Sequence, residues 1–105
     1  MSYETILVDV EDGVAILTLN RPEKKNAMNP RLHEEVTDAL DQLRYDDDAR
    51  VLVVTGAGDS FSAGMDVKEF FIDLQSNPAE YDRITRVSVE WRGRTLRHFP
   101  KPTIA

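Results

Sequence analysis

Residues 51–66 read VLVVTGAGDSFSAGMD. The apolar run Val51–Thr55 has the length and composition of a strand covered on both faces, which favours an α/β layered fold. A glycine-rich turn follows, and Asp66 then opens a predicted helix as its N-cap, with Glu69 in position for a capping box. Backbone N–H groups left free at a strand end and a helix start can hold an anion or a developing oxyanion. This stretch is therefore the first candidate site.

The composition is that of one small globular domain: 105 residues, 41% hydrophobic and 30% charged. The net charge of −6 argues against a nucleic-acid partner. The absence of cysteine excludes thiolate nucleophiles and Cys-based metal sites, and the acidic run Asp46–Asp48 lacks the spacing of a calcium loop, so we expect no metal. No apolar run is long enough to cross a bilayer, and residues 1–4 do not resemble a signal peptide. We expect a cytoplasmic location without a membrane partner.

The segment before the opening stretch predicts a hairpin and a helix. Two apolar runs, Thr5–Val10 and Val14–Leu19, are joined by an Asp-Gly turn, which is typical of paired antiparallel strands. The polar, proline-containing segment Asn20–Asn26 is a predicted loop. Asn29-Pro30 is a good helix start, and leucine, valine and alanine then recur at helical spacing through Arg44.

The segment after the opening stretch predicts two more helices and the start of a strand. The helix that Asp66 opens has Val67, Phe70, Phe71 and Leu74 on its apolar side and ends at a Ser-Asn-Pro break. A second, long helix carries an apolar stripe from Tyr81 to Phe99, which Gly93 weakens. Thr103–Ala105 has the composition of a buried strand. Because a domain should not end on such a strand, we expect the sequence to be a fragment.

Several charged side chains have two interpretations. Arg21, Lys24 and Lys25 form either a solvated loop or a small phosphate-binding patch. Acidic residues and histidines on the predicted helices are expected to lie on exposed helix surfaces, and we assign none of them as a general base: Glu34, Glu35, Glu69, Glu90, His33 and His98.

Two family resemblances compete for the opening stretch. Thr55–Gly64 resembles the signature of ribokinase-type sugar kinases, in which Asp59 would deprotonate the sugar hydroxyl. Val53-Val54 departs from that signature, which also lies much later in those kinases. Asn20–Met28, NRPEKKNAM, resembles the N-R-P-x-x-x-N-A segment of the crotonase family of enoyl-CoA hydratases and isomerases. The order of the later motifs, through Phe61–Asp66 to the ending Lys101–Ala105, also resembles that family.

The crotonase resemblance implies an α/β, ββα-repeat (spiral) fold. Residues 1–105 would then be the N-terminal portion of a single core domain, ending before the second oxyanion segment. Gly56–Asp59 would be a connecting turn. The family acts on acyl-CoA thioesters without a further cofactor, since coenzyme A is part of the substrate, and it forms trimers or hexamers.

The same resemblance implies the site residues. The backbone N–H of Met65 would be one of two donors to the thioester oxygen. Lys24 would meet the nucleotide phosphates and Ala27 would lie near the adenine. The remaining substrate contacts would come from Ala63, Gly64, Asp66, Val67, Lys68 and Phe70. The catalytic carboxylates would lie beyond Ala105, so the fragment alone should add no water to an enoyl-CoA. A non-catalytic CoA-binding or subunit-interaction module remains an open alternative.

Among crotonases, the motifs resemble the hydroxycinnamoyl-CoA hydratase-lyases most. The residues that carry this resemblance are Met65–Phe71, Glu90–Arg92 and Leu96-Arg97. That subgroup hydrates its substrate and cleaves the product to an aromatic aldehyde and acetyl-CoA. Phe70 stands where the subgroup has a tyrosine that contacts the phenolic end of the substrate. Phe70 is therefore either part of a less polar acyl pocket or an ordinary core residue.

Overall fold

The computed structural model describes residues 2–105 of the chain. The strands and α-helices are β1 (Ile6–Glu11), β2 (Val14–Leu19), α1 (Pro30–Arg44), β3 (Val51–Gly56), α2 (Pro78–Val89) and β4 (Thr103–Ile104). Three short helical segments lie between them: a 3₁₀ turn at Pro22–Lys24 and two π-helical segments at Val67–Ile72 and Glu90–Thr95.

The strands form one mixed sheet in the order β1-β2-β3-β4. β1 and β2 pair antiparallel, and their turn has positive φ at both Asp12 and Gly13, as a two-residue hairpin requires. β3 then pairs parallel to β2, and β4 parallel to β3. The predicted hairpin and the predicted valine-rich strand are both confirmed. α1 is the crossover between the parallel strands β2 and β3.

The helix α1 has the bounds that its cap and periodicity predict. Asn29 Oδ1 accepts a hydrogen bond from the N–H of Leu32 at 2.9 Å. At the other end, the Lys101 ammonium donates to the carbonyls of Leu43 and Asp46. The helix buries one apolar face against the sheet, and the core residues on it are Leu32, Val36, Ala39, Leu40 and Leu43. Both ends of α1 are thus held by side chains.

The long helix expected from Tyr81 to Phe99 is present from Pro78 to Thr95, but its second part is π-helical and it ends before Phe99. α2 ends at Val89, and the chain continues in wider turns, where the N–H of Leu96 donates to the carbonyl of Trp91. This i→i+5 bond lengthens the repeat at the segment that contains Gly93. Trp91 remains buried, whereas Phe99 leaves the helical stripe and packs beneath the Arg44 guanidinium, 5.6 Å from its ring centroid.

The helix that Asp66 opens is also shorter than expected. It spans only Val67–Ile72, and the N–H of Asp73 donates to the carbonyl of Lys68. Of its predicted apolar side, Phe70 is buried, but Val67 and Phe71 are exposed. Within residues 2–105, no helix is both long enough and apolar enough to span a membrane.

Candidate functional site

Two loops meet beyond the ends of β2 and β3. The N–H of Ala63 donates to Lys25 O at 2.9 Å, and the N–H of Met28 donates to Gly64 O at 2.7 Å. The N–H of Asp66 donates back to Met28 O at 3.0 Å. These bonds lay residues 25–28 beside residues 63–66 in a parallel arrangement. We call these two segments the paired loops.

The N–H groups of the second paired loop, residues 63–66, differ in whether they have a hydrogen-bond acceptor. Those of Ala63 and Asp66 are bonded as just described, and that of Gly64 donates to Ser62 Oγ at 3.0 Å. The N–H of Met65 has no acceptor among residues 2–105. Because Met28 bridges to both neighbours of Met65, the Met65 N–H points away from Met28. It is therefore a free donor at the outer edge of the paired loops.

The conformation of Gly64 supports this arrangement. Its φ of +94° lies in the region that glycine adopts more readily than other residues. Apart from its two chain neighbours, a Cβ built on Gly64 would have no described atom within 4 Å, so the space beside Gly64 is open. A ligand can therefore approach the main chain closely at this point.

Asn26 ties the glycine-rich turn to the first paired loop. The side chain is fully buried, and its Oδ1 accepts from the N–H of Arg21 at 2.9 Å. Its Nδ2 donates to the carbonyls of Ala57 and Ser60 at 2.9 and 2.7 Å. A Cβ on Gly56 would overlap the carbonyl oxygen of Ser60 and crowd Asn26. Residues 56–60 thus form a tightly packed structural turn.

Arg21 is a buried ion-pair centre and does not belong to a phosphate-binding patch. Its guanidinium donates to Asp66 Oδ2 at 3.1 Å, to Glu69 Oε2 at 2.7 Å and to the carbonyl of Ala27. Lys24 and Lys25 are exposed. Of the three basic residues in the expected patch, only these two lysines face solvent. Arg21 instead links the first paired loop to the segment that follows the second.

Asp66 is the predicted N-cap: its Oδ1 accepts from the N–H of Glu69 at 2.8 Å. The reciprocal half of the capping box is absent, because the Glu69 carboxylate binds Arg21 and the Asp66 N–H binds Met28. Burial alone would raise the pKa of Asp66, but the Glu69 N–H and the Arg21 guanidinium hold it below its ordinary value. Asp66 is thus an ionised structural carboxylate, and Glu69, whose side chain is 39% exposed, pairs with Arg21 from the helix surface.

His33 is not an exposed helix residue, and that prediction is wrong. Its side chain is fully buried, with Nδ1 2.9 Å from Trp91 Nε1 and Nε2 3.2 Å from Met65 Sδ. The Phe70 ring lies edge-on at 5.6 Å. Burial, followed by the Arg92 charge, lowers the pKa of His33 to about 4. The helical spacing to Val36 and Leu40, three and seven residues on, could have placed His33 on the buried face.

Glu35 also differs from its prediction as a helix-surface residue. Its carboxylate accepts from the backbone N–H groups of Glu4 and Thr5 and from Thr5 Oγ1. Burial would raise the pKa of Glu35, but these bonds and the charge of Arg31 lower it. Glu35 therefore anchors the segment before β1. Glu34, Glu90 and His98 are exposed, as expected.

The structure brings most of the sequence-predicted site residues together at the paired loops. Met65 and Gly64 are half-buried there, as is Ala27. The exposed members are Lys24, Ala63, Val67 and Lys68, and the buried ones are Asp66 and Phe70. Phe70 packs against the rings of His33, Phe71 and Tyr81. Among residues 2–105, no three His, Asp or Glu side chains are grouped as metal ligands.

Comparison with known proteins places this arrangement in one family. The family model for enoyl-CoA hydratase/isomerase matches residues 9–105. The chain is 46% identical over 104 residues to a hydroxycinnamoyl-CoA hydratase-lyase from Pseudomonas fluorescens, covering 98% of this chain and 38% of the relative. It is 38% identical over 101 residues to a 1,2-epoxyphenylacetyl-CoA isomerase from Escherichia coli, covering 96% of this chain and 38% of that protein.

Solved structures give the same result for the fold. A carnitinyl-CoA dehydratase from Mycobacterium thermoresistibile superimposes with a TM-score of 0.84 at 33% identity, over 95% of this chain and 29% of the other. An enoyl-CoA hydratase/isomerase from Xanthobacter autotrophicus superimposes with a TM-score of 0.80 at 32% identity, over 97% of this chain and 38% of the other.

The chain belongs to the enoyl-CoA hydratase/isomerase family, the crotonases. Its fold is the crotonase-like α/β fold expected from the sequence. The chain spans 38% of the length of the two curated relatives described above.

Proposed function

We propose that this chain supplies the thioester-binding half of an enoyl-CoA hydratase site. The N–H of Met65 would donate one hydrogen bond to the thioester oxygen while water adds to the α,β-double bond and an enolate forms. The observation that carries the proposal is that Met65 has the only N–H in residues 63–66 without an acceptor among residues 2–105. One preorganised donor of this kind contributes about 3–4 kcal/mol to transition-state stabilisation.

The remaining predicted contacts follow the substrate outward from this donor. Ala63 and Gly64 would let the pantetheine arm approach the main chain. The exposed ammonium of Lys24 would meet the nucleotide phosphates, and the Ala27 backbone would lie near the adenine. Lys68 is exposed close to Met65 in sequence and pairs only with Asp73, at 3.2 Å, among residues 2–105. A surface pair of this kind is weak, so Lys68 is available to a CoA phosphate.

We assign no general base within residues 1–105. The carboxylates nearest the paired loops, Asp66 and Glu69, are engaged by Arg21. We therefore propose that the catalytic carboxylate and the second oxyanion donor come from residues outside this chain. Residues 1–105 alone would then bind CoA thioesters without hydrating them. We further propose a trimer or a dimer of trimers for the whole enzyme.

Two observations bear on which acyl group the substrate carries. The 46% identity to a hydroxycinnamoyl-CoA hydratase-lyase favours an aromatic acyl group and a second, cleaving step. Phe70, however, offers no hydroxyl and is buried among aromatic rings. A phenolic hydroxyl placed there without a partner would cost about 1–3 kcal/mol. We therefore propose hydration of an enoyl-CoA with an apolar acyl group as the main activity, and hydratase-lyase cleavage as the second candidate.

The test compares substrates on the full-length enzyme that contains this chain. Crotonyl-CoA, cinnamoyl-CoA and feruloyl-CoA are followed by loss of enoyl absorbance and by release of aldehyde. The proposal expects hydration of the first two and a lower kcat/KM for feruloyl-CoA. Efficient release of aromatic aldehyde from feruloyl-CoA would favour the lyase instead. ATP-dependent sugar phosphorylation without enoyl-CoA turnover would overturn both in favour of the kinase resemblance. Turnover by residues 1–105 alone would contradict the assignment of the base.

A further inference from the structure

His33 is a buried polar side chain on α1 to which the proposed function gives no role. Its Nδ1 lies 2.9 Å from Trp91 Nε1. An indole N–H can only donate, so Nδ1 must be the unprotonated acceptor. The neutral imidazole therefore carries its proton on Nε2. The tryptophan thus sets the tautomer of the histidine.

The Nε2–H of His33 is directed at Met65. The distance from Nε2 to Met65 Sδ is 3.2 Å, within hydrogen-bonding range for a thioether acceptor. The main chain of Met65 is held on its other side, since both its neighbours bond to Met28. The residue that carries the free N–H is therefore held at two points, by Met28 through the backbone and by His33 through the side chain.

The surroundings of His33 keep the ring neutral. The charged group that acts on it is the Arg92 guanidinium, which is fixed by bonds to Ser88 Oγ at 2.8 Å and Ser88 O at 3.1 Å. The other neighbours, Phe70, Trp91 and Met65, do not titrate near neutral pH. A second proton on Nδ1 would face the Trp91 N–H, donor against donor. His33 is therefore unsuited to act as a general base, although it lies beside the site.

We propose that His33 is a positioning residue whose Nε2–H fixes the Met65 side chain and thereby aims the Met65 N–H at the thioester oxygen. This inference rests on the proposed function, since it needs Met65 to be an oxyanion donor. The peptide that carries the Met65 N–H is held on one side by the bond from the Met28 N–H to Gly64 O. The sulfur contact holds the same residue through its side chain, so without it the direction of the N–H would depend on the backbone bonds alone.

Two substitutions separate the two nitrogens of His33. Asparagine extends as far as Nδ1, so His33→Asn keeps the acceptor for Trp91 but loses the donor to Met65. Glutamine extends as far as Nε2, so His33→Gln keeps a donor near Met65 but loses the acceptor. In the full-length enzyme with crotonyl-CoA, we expect His33→Asn to lower kcat about 10-fold with KM changed less than about twofold. We expect His33→Gln to stay within about threefold of the wild-type kcat.

If His33 serves only in packing, the two variants should rank by stability instead. The variant that loses more stability in urea unfolding should then also lose more kcat. That result, or a wild-type kcat in His33→Asn, would overturn the positioning role. The double variant His33→Asn with Met65→Leu adds a further check. Leucine keeps the N–H and the volume but removes the sulfur, so the double variant should be no slower than His33→Asn within about twofold. If the two substitutions instead lower kcat by factors that multiply, the result would contradict the contact between His33 and the Met65 sulfur.

A spectroscopic measurement tests the tautomer without reference to activity. With ¹⁵N-labelled histidine at pH 7, His33 should show a protonated Nε2 and an unprotonated Nδ1. A protonated Nδ1 would overturn the inference even in an active enzyme. A wild-type enzyme that neither binds nor hydrates enoyl-CoA would refute the proposed function itself, and the positioning role with it. An active wild type with an unaffected His33→Asn variant would refute only the positioning role.

Discussion

Replacing Arg21 with methionine should destabilise the protein far more than the same replacement at Arg83. Both arginines pair with two carboxylates, but the Arg21 side chain is 9% exposed and that of Arg83 is 51% exposed. Methionine keeps the length of the apolar stem and removes the charge. At Arg21 this leaves the Asp66 carboxylate, 10% exposed, without its cation. Breaking a buried pair in this way costs about 3–5 kcal/mol.

The matched control follows from solvent screening. Glu34 and Glu80, the partners of Arg83, can turn into water, so Arg83→Met should shift the unfolding midpoint only slightly. Urea unfolding is followed through the single tryptophan, Trp91, which is buried and therefore reports on the core. For an m-value of about 1–3 kcal/mol/M, Arg21→Met should lower the midpoint by at least about 1 M. Equal midpoints for the two variants would refute the argument from burial.

Three further predictions concern other contacts. Gly56→Ala should destabilise the protein by about 1–3 kcal/mol, because the added Cβ meets the carbonyl of Ser60. Gly93→Ala should stabilise the protein by about 0.5–1 kcal/mol, because the space around Gly93 is open. Equal melting temperatures for the two variants would contradict both expectations. Glu35→Gln should cost about 1–3 kcal/mol at pH 7. The difference should shrink as the pH falls below the ordinary glutamate pKa and through the depressed pKa of folded Glu35; a pH-independent difference in urea titrations would count against the bonds. Because the pKa of His33 is lowered to about 4, the unfolded state binds a proton first as the pH falls. The wild type should therefore lose about 3 kcal/mol more stability than His33→Asn between pH 7 and pH 4; matching pH profiles would refute the burial of His33.

The parts of the fold that were predictable depend on signals close together in sequence. The Asp12-Gly13 turn sets the hairpin, and Asn29-Pro30 sets the start of α1. Asp66 caps its helix by accepting from an N–H only three positions later, and this short separation made the cap predictable. In each case the residue and its partner lie within a few positions, so local geometry decides the outcome.

The misjudged residues have partners far away in the chain. The Arg21 guanidinium meets a carboxylate 45 residues later, and the His33 ring meets an indole 58 residues later. A charge or an imidazole on a polar-looking segment is expected to face water unless such a partner is known. The wide turns after Val89 were missed because an i→i+5 bond leaves no clear mark in the composition.

The family resemblance pointed to Met65 but not to the contacts that hold it in place. The structure leaves the Met65 N–H without an acceptor among residues 2–105, and its role as an oxyanion donor stays a prediction. Three contacts support Met65: the bonds between Met28 and the two neighbours of Met65, the bond from buried Asn26 to Ala57 O in the adjoining turn, and the contact of His33 on α1 with the Met65 sulfur. These contacts join residues at least 31 positions apart, so no local pattern could reveal them.

Donation by the Met65 N–H to a thioester oxygen can be tested directly by NMR. Labelling with ¹⁵N-methionine gives few signals, because the chain has three methionines, and Met28 serves as an internal control since its N–H is already bonded to Gly64 O. Butyryl-CoA, which has the thioester oxygen, should move the Met65 amide proton downfield and leave Met28 in place. The butyl thioether of CoA, which lacks that oxygen, should bind without this shift. A Met65 amide that responds equally to both ligands, or to neither while both bind, would show that its N–H does not donate to the thioester oxygen.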